Sequence, residues 1–203
     1  MKRCRYRLRA RIIIINGPPG VGKTTTSNRL KAQRGGSLVD GEKIGRIIQN
    51  LIPMRDYQYS SAWRMIFICL VALKAFIFRR VLVPMTILDP EVRAGTIDIL
   101  RHLPFHLDEV LLFARSDVLI DRILARGGKG NRWCLTELPR LLAYPAPQSG
   151  LWVRTDSAEP QAVADEIKNE LHLAQLSTKN MKPEVEGFRW YCNQGTTSML
   201  DTR

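Results

Sequence analysis

Ile12-Ile-Ile-Ile15, then Asn16, then Gly17-Pro-Pro-Gly-Val-Gly-Lys23-Thr24 form the stretch that decides the fold. A continuous β-branched run fits a strand covered on both faces, so the four isoleucines read as a short buried strand. Thr25-Thr-Thr-Ser-Asn-Arg-Leu-Lys31, behind the glycines, reads as a helix. Between them lies the complete phosphate-binding pattern G-x-x-x-x-G-K-S/T. Strand, glycine-rich turn and helix in this order aim backbone N–H groups and the positive end of a helix dipole at one anion. Gly17, Gly20 and Gly22 permit the close backbone approach that wrapping a polyphosphate requires, and Val21 and Thr25 belong to the same cradle. Lys23 is expected to reach the β- and γ-phosphates, and the Thr24 hydroxyl to ligate Mg²⁺. The stretch implies a nucleoside triphosphate as ligand.

Composition sets few further bounds. At 203 residues, 45% apolar and 25% charged, the chain fits one α/β domain whose core needs neither disulfide nor metal. Cys4, Cys69, Cys134 and Cys192 lie far apart without a C-x-x-C pair. That spacing excludes a standard zinc site and points to reduced thiols and a cytoplasmic setting. The formal net charge of +12 fits a protein that handles polyanions, whether nucleotides, nucleic acid or an anionic membrane surface. Lys2, Arg3, Arg5, Arg7, Arg9 and Arg11 place much of it in an expected basic extension, residues 1–11. The apolar run after it is too short for an export signal. Residues 62–78 are the longest apolar stretch, interrupted by Arg64 and Lys74 and shorter than the roughly 20 residues of a membrane span. A buried core helix is expected there.

Strands and helices alternate along the rest. Residues 12–15, 37–39, 80–87, 108–114 and 151–153 read as strands. Residues 23–33, 42–51, 62–78, 90–103, 117–125, 136–143 and 160–173 read as helices, with Pro53 closing the second and residues 55–59 a polar, aromatic loop. Asp89-Pro90 is a helix start with the acid as cap, and Ser116 is expected to cap another. Gly127-Gly-Lys-Gly130 reads as a hinge. This alternation implies a parallel sheet covered on both faces, with the phosphate loop at the carboxyl edge. The expected domain covers residues 12–173, and residues 174–203 read as an irregular tail.

Two absences narrow the class. No N-K-x-D or T-K-x-D motif exists, which argues against a GTPase, and no strand runs directly into Asp-Glu, which argues against motor and remodelling ATPases. A small kinase needs a basic lid and a carboxylate near the acceptor. Arg122 and Arg126, four apart before the glycine hinge, share one helix face. One guanidinium can stack on a base while the other clamps transferring phosphate, or both simply complement the dipole of an exposed helix end. Asp40 closes the second strand. It is a candidate base for an acceptor hydroxyl and a candidate Mg²⁺ ligand, and equally an ordinary Asp-Gly turn.

Taken together these segments resemble one family, the tunicamycin-resistance ATP-binding proteins, relatives of the nucleotide kinases. The resemblance is carried by Ile14-Ile-Asn-Gly17 with the loop to Lys23-Thr24, by Asp40 with Glu42-Lys43-x-Gly45, and by Pro53. Trp63-Arg64, Val83-Pro-Met-Thr-Ile87 with Pro90, the region 119–133 and Thr155-Asp156 extend it over about residues 12–172. It implies a P-loop, nucleoside-monophosphate-kinase-like domain: a five-stranded parallel sheet flanked by helices with a small Arg-rich lid. It implies ATP and Mg²⁺ as cofactors; the stretch holding Arg122 and Arg126 also resembles the start of the lid in adenylate kinase-type nucleotide kinases, which implies Arg122 on adenine and Arg126 on phosphates. It implies protection against tunicamycin, a nucleoside antibiotic resembling a UDP-sugar. Protection would come by phosphorylation, with Lys23, Asp40, Arg122 and Arg126 as catalytic residues, or by sequestration. Trp63, Arg64, Met85 and Thr86 would line the acceptor pocket, although Trp63 and Met85 fit a core equally well. In the family the carboxyl end is thought to aid membrane attachment; a peripheral membrane contact is thereby implied, though this tail does not read as a basic amphipathic helix. Nucleic acid is not the expected partner. The alternative is a small-molecule or polynucleotide 5′-hydroxyl kinase unrelated to antibiotic resistance.

Overall fold

The opening isoleucines divide between two cores. Ile12 and Ile14 pack with Phe67, Val71 and Val92, whereas Ile13 and Ile15 pack with Leu30, Ile123 and Ile167. Successive side chains of a strand point to opposite faces, so a strand buried on both sides must be apolar throughout. The computed structural model describes residues 10–51, 57–128, 130–145 and 149–176. Residues 1–9 of the basic extension, Pro53, Arg55, Lys129 and the tail from 177 lie outside them.

β1 (Arg11–Asn16) is the central strand of a five-stranded sheet with order β2-β3-β1-β4-β5, every pair parallel. Its partners are β2 (Ser37–Leu38), β3 (Arg80–Met85), β4 (His106–Phe113) and β5 (Leu151–Arg154). Asn16, the last residue of β1, stands in register with Met85 and Leu111. All carboxyl ends therefore meet at one edge, where ligands of open parallel sheets bind.

Helices α1 (Lys23–Arg34), α6 (Ser116–Arg126), α7 (Asn131–Ala143) and α8 (Pro160–Leu176) cover one face. The other face carries α2 (Gly41–Leu51), α3 (Ser61–Ile77), α4 (Pro90–Arg93) and α5 (Ile99–His102). A π-helical turn, Ala94–Asp98, joins α4 to α5, and a 3₁₀ turn, Tyr57–Tyr59, precedes α3. Gly35, at φ 66°, ends α1 by the Arg34-Gly-Gly signal. Asp89 caps α4 as expected, accepting from the Glu91 and Val92 amides.

Several sequence expectations change. Arg11 belongs to the sheet, not to an extension, because its guanidinium pairs with Asp108 of β4. Ser116 is the first residue of α6, not its cap; the preceding Arg115 amide is taken by Asp156 at 2.8 Å. α7 starts five residues earlier than periodicity indicated, since Asn131 anchors it by donating a hydrogen bond from Nδ2 to the Ile123 carbonyl. α8 continues to Leu176. α3 is not a helix buried all round: Trp63, Phe67, Val71 and Ala75 face the core, and the opposite apolar face is open. Among the described residues no helix is long and apolar enough to cross a membrane.

Trp63 and Phe67 stack one turn apart with ring centroids at 5.1 Å and fasten α3 to the sheet. Phe67→Ala is expected to destabilise the fold by about 3–5 kcal/mol, measured by urea unfolding. A loss under about 1 kcal/mol, within the range of surface substitutions, would show that this stack does not hold the layer.

Candidate active site

At the end of β1 the chain must turn sharply under a neighbouring strand. Gly17 has φ 147°, and a Cβ there would lie 2.4 Å from the Leu112 carbonyl oxygen. Gly20, at φ 83°, would place one 2.9 Å from the Leu119 carbonyl oxygen. Only glycine satisfies both the conformation and the contact. Asn16 is fully buried and holds the turn: its Oδ1 accepts from the Gly17 and Ile87 amides, both at 2.8 Å. Its Nδ2 donates to the Ile87 carbonyl at 2.7 Å and to Glu109 Oε1 at 3.4 Å.

α1 then opens with Gly22 at its N-cap, with no side-chain cap and no acid in its first turn. Its leading amides are left for an anion from outside the chain. Thr24 and Thr25 are exposed on this first turn, and Thr26 and Ser27 face inward. Lys23 is only 8% exposed, and its Nζ donates to the Pro18 carbonyl at 3.0 Å. Burial holds its pKa below the ordinary value, opposed most by the charge of Glu42 and less by that of Asp40.

Across from the loop, Asp40 starts α2, its Oδ1 accepting from the Lys43 amide at 2.9 Å. Among the described residues its Oδ2 has no partner. Glu42, in the first turn of α2, accepts from the Thr86 hydroxyl at 3.2 Å. Thr86 follows β3, and its carbonyl accepts from Gln58 at 2.7 Å. The structure thus brings Lys23, Asp40, Glu42 and Thr86 to one edge. Sequence reading passed over Glu42 as a site residue. Its signal was the Asp40-x-Glu42 spacing, two carboxylates at a helix start directly after a strand.

Trp63 and Met85 stand elsewhere. Both are fully buried: Trp63 donates from Nε1 to the Gly41 carbonyl, and Met85 lies beneath Gly41. They support the wall of the cleft from the core and do not face it. Arg64, half-buried, lies against Gly95.

The two arginines of α6 part ways. Arg122 donates to the Thr155 carbonyl at 2.5 Å, the Thr155 hydroxyl at 3.2 Å and the Asp156 carbonyl at 3.0 Å. The Thr155 hydroxyl also donates to the Val21 carbonyl, which binds the β5 end to the phosphate loop. Arg122, Val21, Thr25, Thr155, Ala158 and Pro160 are among the residues lining a cavity of about 250 Å³ beside the start of α1. Arg126, one turn on, is exposed, contacts Cys134 Sγ at 3.4 Å, and opposes the protonation of Lys23. One guanidinium is fixed beside the cavity; the other rests on Cys134, near enough to Lys23 to oppose its charge.

The 2-3-1-4-5 parallel sheet with this loop after its central strand defines a P-loop protein of the nucleoside-monophosphate-kinase type. A family described as an AAA domain matches residues 12–138, and the chain belongs to it. No curated protein matches the chain. Solved structures with the same fold include the tunicamycin resistance protein of Deinococcus radiodurans, 23% identical, TM-score 0.64, covering 80% of this chain and 95% of that one. A sugar kinase from Janibacter sp. HTCC2649, unliganded, is 18% identical, TM-score 0.60, covering 84% and 99%. The APS kinase CysC of Mycobacterium tuberculosis, in complex with AMPPNP and APS, is 15% identical, TM-score 0.57, covering 81% and 98%.

Because burial disfavours the charged ammonium, Lys23→Met should leave the melting temperature of the free protein unchanged or raised at neutral pH. The penalty being removed is full below the lowered folded pKa of Lys23, fades as pH rises from there, and is gone above the ordinary lysine pKa. The same variant should lose the stabilisation that Mg-ATP gives the parent protein, read by thermal shift. An undiminished ATP shift would remove Lys23 from the phosphate cradle.

Proposed function

We propose that this chain is an ATP-dependent phosphotransferase whose acceptor is a hydroxyl of a nucleoside-type small molecule, with tunicamycin as the first candidate. The observation that carries the reading is the meeting of an uncapped α1 N-terminus and Lys23 with two carboxylates, Asp40 and Glu42, from the neighbouring strand end. Phosphate needs the first pair, and a hydroxyl being phosphorylated needs a base such as the second supplies. The likeness to the Deinococcus radiodurans protein supports the choice of drug.

In this reading backbone N–H groups of residues 20–25 hold the triphosphate, and adenine enters the cavity beside Arg122. Lys23 exchanges the Pro18 carbonyl for phosphate oxygens, and Arg126 neutralises charge on the transferring group. Asp40 Oδ2 takes the proton as the acceptor oxygen bonds to the γ-phosphorus and the bond to the ADP oxygen breaks. Glu42, fixed by Thr86, favours the charged form of Lys23 against its burial before nucleotide arrives. The Thr24 hydroxyl and the Asp40 and Glu42 carboxylates are hard oxygen donors, a set that suits Mg²⁺ held mainly by phosphates and water. When bound, that ion would neutralise charge on the β- and γ-oxygens.

Mass spectrometry of tunicamycin incubated with protein and Mg-ATP should reveal a product carrying one added phosphoryl group, with ADP formed in equal amount. Tight drug binding with no ADP above background would replace catalysis by sequestration, and absence of both would discard the drug. Asp40→Asn should keep the ATP thermal shift and lose about 10²–10⁴-fold in turnover. Unchanged turnover would show that the base lies elsewhere.

A further inference from the structure

The outward side of α3 carries an apolar stripe that nothing in the described residues covers. Met65 is 66% exposed, Ile66 44%, Leu73 55%, Phe76 66% and Ile77 65%, and Cys69 is exposed among them. Ile66, Cys69, Leu73 and Phe76 follow a three-four-three spacing, the seam of a two-helix contact. Met65 and Ile77 flank this seam, and the whole extends about 18 Å along the helix. Phe76 does not float: its ring meets buried Phe105 edge-on at 5.0 Å.

α3 has two charged side chains, and neither lies on the stripe. Arg64 is turned against Gly95, and Lys74 donates to the Leu38 carbonyl at 3.3 Å. A helix that lies in a membrane surface borders its apolar face with lysine and arginine. This one has no such border of its own, and its charge-free face suits another protein surface instead.

The order of residues selects the partner. About the level of residue 71 the stripe reads the same in both directions: Met65 mirrors Ile77, Ile66 mirrors Phe76, and Cys69 mirrors Leu73. We propose that α3 pairs with α3 of a second copy of this chain, antiparallel about a twofold axis near residue 71. In that register the large Phe76 meets Ile66 and the small Cys69 receives Leu73, so the surface is self-complementary, as an isologous dimer requires. Antiparallel helices also oppose their dipoles. The six residues expose on the order of 700 Å² per copy, a ceiling on what the pairing buries, set against the roughly 800 Å² per partner of a standard stable interface, and it makes the dimer concentration-dependent. The pairing stiffens the helix whose first turns hold Trp63 and Arg64, the back wall of the acceptor side. It stands independently of any acceptor identity.

Each copy carries a formal charge of +12, so the copies repel through solvent while the seam attracts. Added salt screens the repulsion and leaves the apolar contact. Sedimentation equilibrium of the full chain should therefore reveal a dimer whose association tightens from low to high NaCl. Leu73→Glu and Phe76→Glu, on exposed positions, should each weaken it by about 100-fold or more, with the ATP thermal shift and circular dichroism of the parent retained. A parent protein that stays monomeric at every salt concentration overturns the proposal. So does a dimer indifferent to both substitutions, which would place the interface elsewhere. Sedimentation with vesicles of phosphatidylserine and phosphatidylcholine supplies the last arm. A monomer that binds them, more weakly in salt and not at all as Phe76→Glu, would assign the stripe to lipid and overturn the pairing.

Discussion

One buried amide sets the dimensions of the site. Asn16 bonds to Gly17 at the mouth of the phosphate loop and to both backbone groups of Ile87 beyond β3, and reaches Glu109 on β4. Three strands thereby end at fixed distances from one another. A side chain so placed is tolerable only when every polar group it has is used, because an unpaired buried amide costs about 1–3 kcal/mol. Glu109 is buried as well, and its charge is met by Arg93 at 2.5 Å and Arg101 at 3.4 Å. The phosphate loop is tied through two polar side chains to the helices on the far side of the sheet. Its geometry is thus set by the fold before any nucleotide arrives, and the ordering cost of binding is correspondingly smaller.

That rigidity coexists with electrostatic tension. Lys23 is buried at the start of a helix that has neither cap nor acid, and Arg126 adds a second positive charge from the lid side. In the free protein Lys23 is relieved by the Pro18 carbonyl and by the carboxylates of Glu42 and Asp40 across the cleft. A polyphosphate relieves all of these at once. The opposing carboxylates of Glu42 and Asp40 work against that burial and favour the charged ammonium.

How much of this was legible in the residues depends on distance along the chain. The phosphate loop and its flanking strand and helix were readable because their chemistry is complete within about twenty neighbouring positions. The five parallel strands followed from alternation, and the Asp89-Pro90 cap from two adjacent residues. Trp63 and Met85 were placed in a pocket by likeness to a family, and that likeness does not say which side of a wall a side chain occupies. Packing around Gly41 decided it, with Trp63 bonded to its carbonyl and Met85 beneath it. Glu42 was missed because its partner Thr86 is 44 positions away. The open face of α3 was hidden for another reason. Composition reads a seventeen-residue apolar helix the same way whether one side or both are covered; only the position of α3 as the outer layer separates the cases.

The lid side has its own fixed and free parts, and the difference bears on how a cleft of this kind closes. Arg122 is locked by three bonds to the Thr155-Asp156 turn, so the first half of α6 belongs to the rigid body of the sheet. The far end of α7 is locked too: the Tyr144 hydroxyl donates to Asp89 at 2.6 Å, and the Tyr59 hydroxyl bonds the same carboxylate. That shared acceptor raises the pKa of both phenols, so they remain protonated donors across the neutral range. Between these anchors stand Arg126, exposed, and Gly127 and Gly128, at φ 65° and 98°. Few side chains tolerate those angles, and glycine changes them at little cost. The connection is itself bridged, because Asn131 at the start of α7 donates to the Ile123 carbonyl and Arg126 to Cys134 Sγ. The two helices are thus tied to each other across the glycines as well as at their remote ends, and any approach of Arg126 to a bound triphosphate would have to release the Cys134 contact.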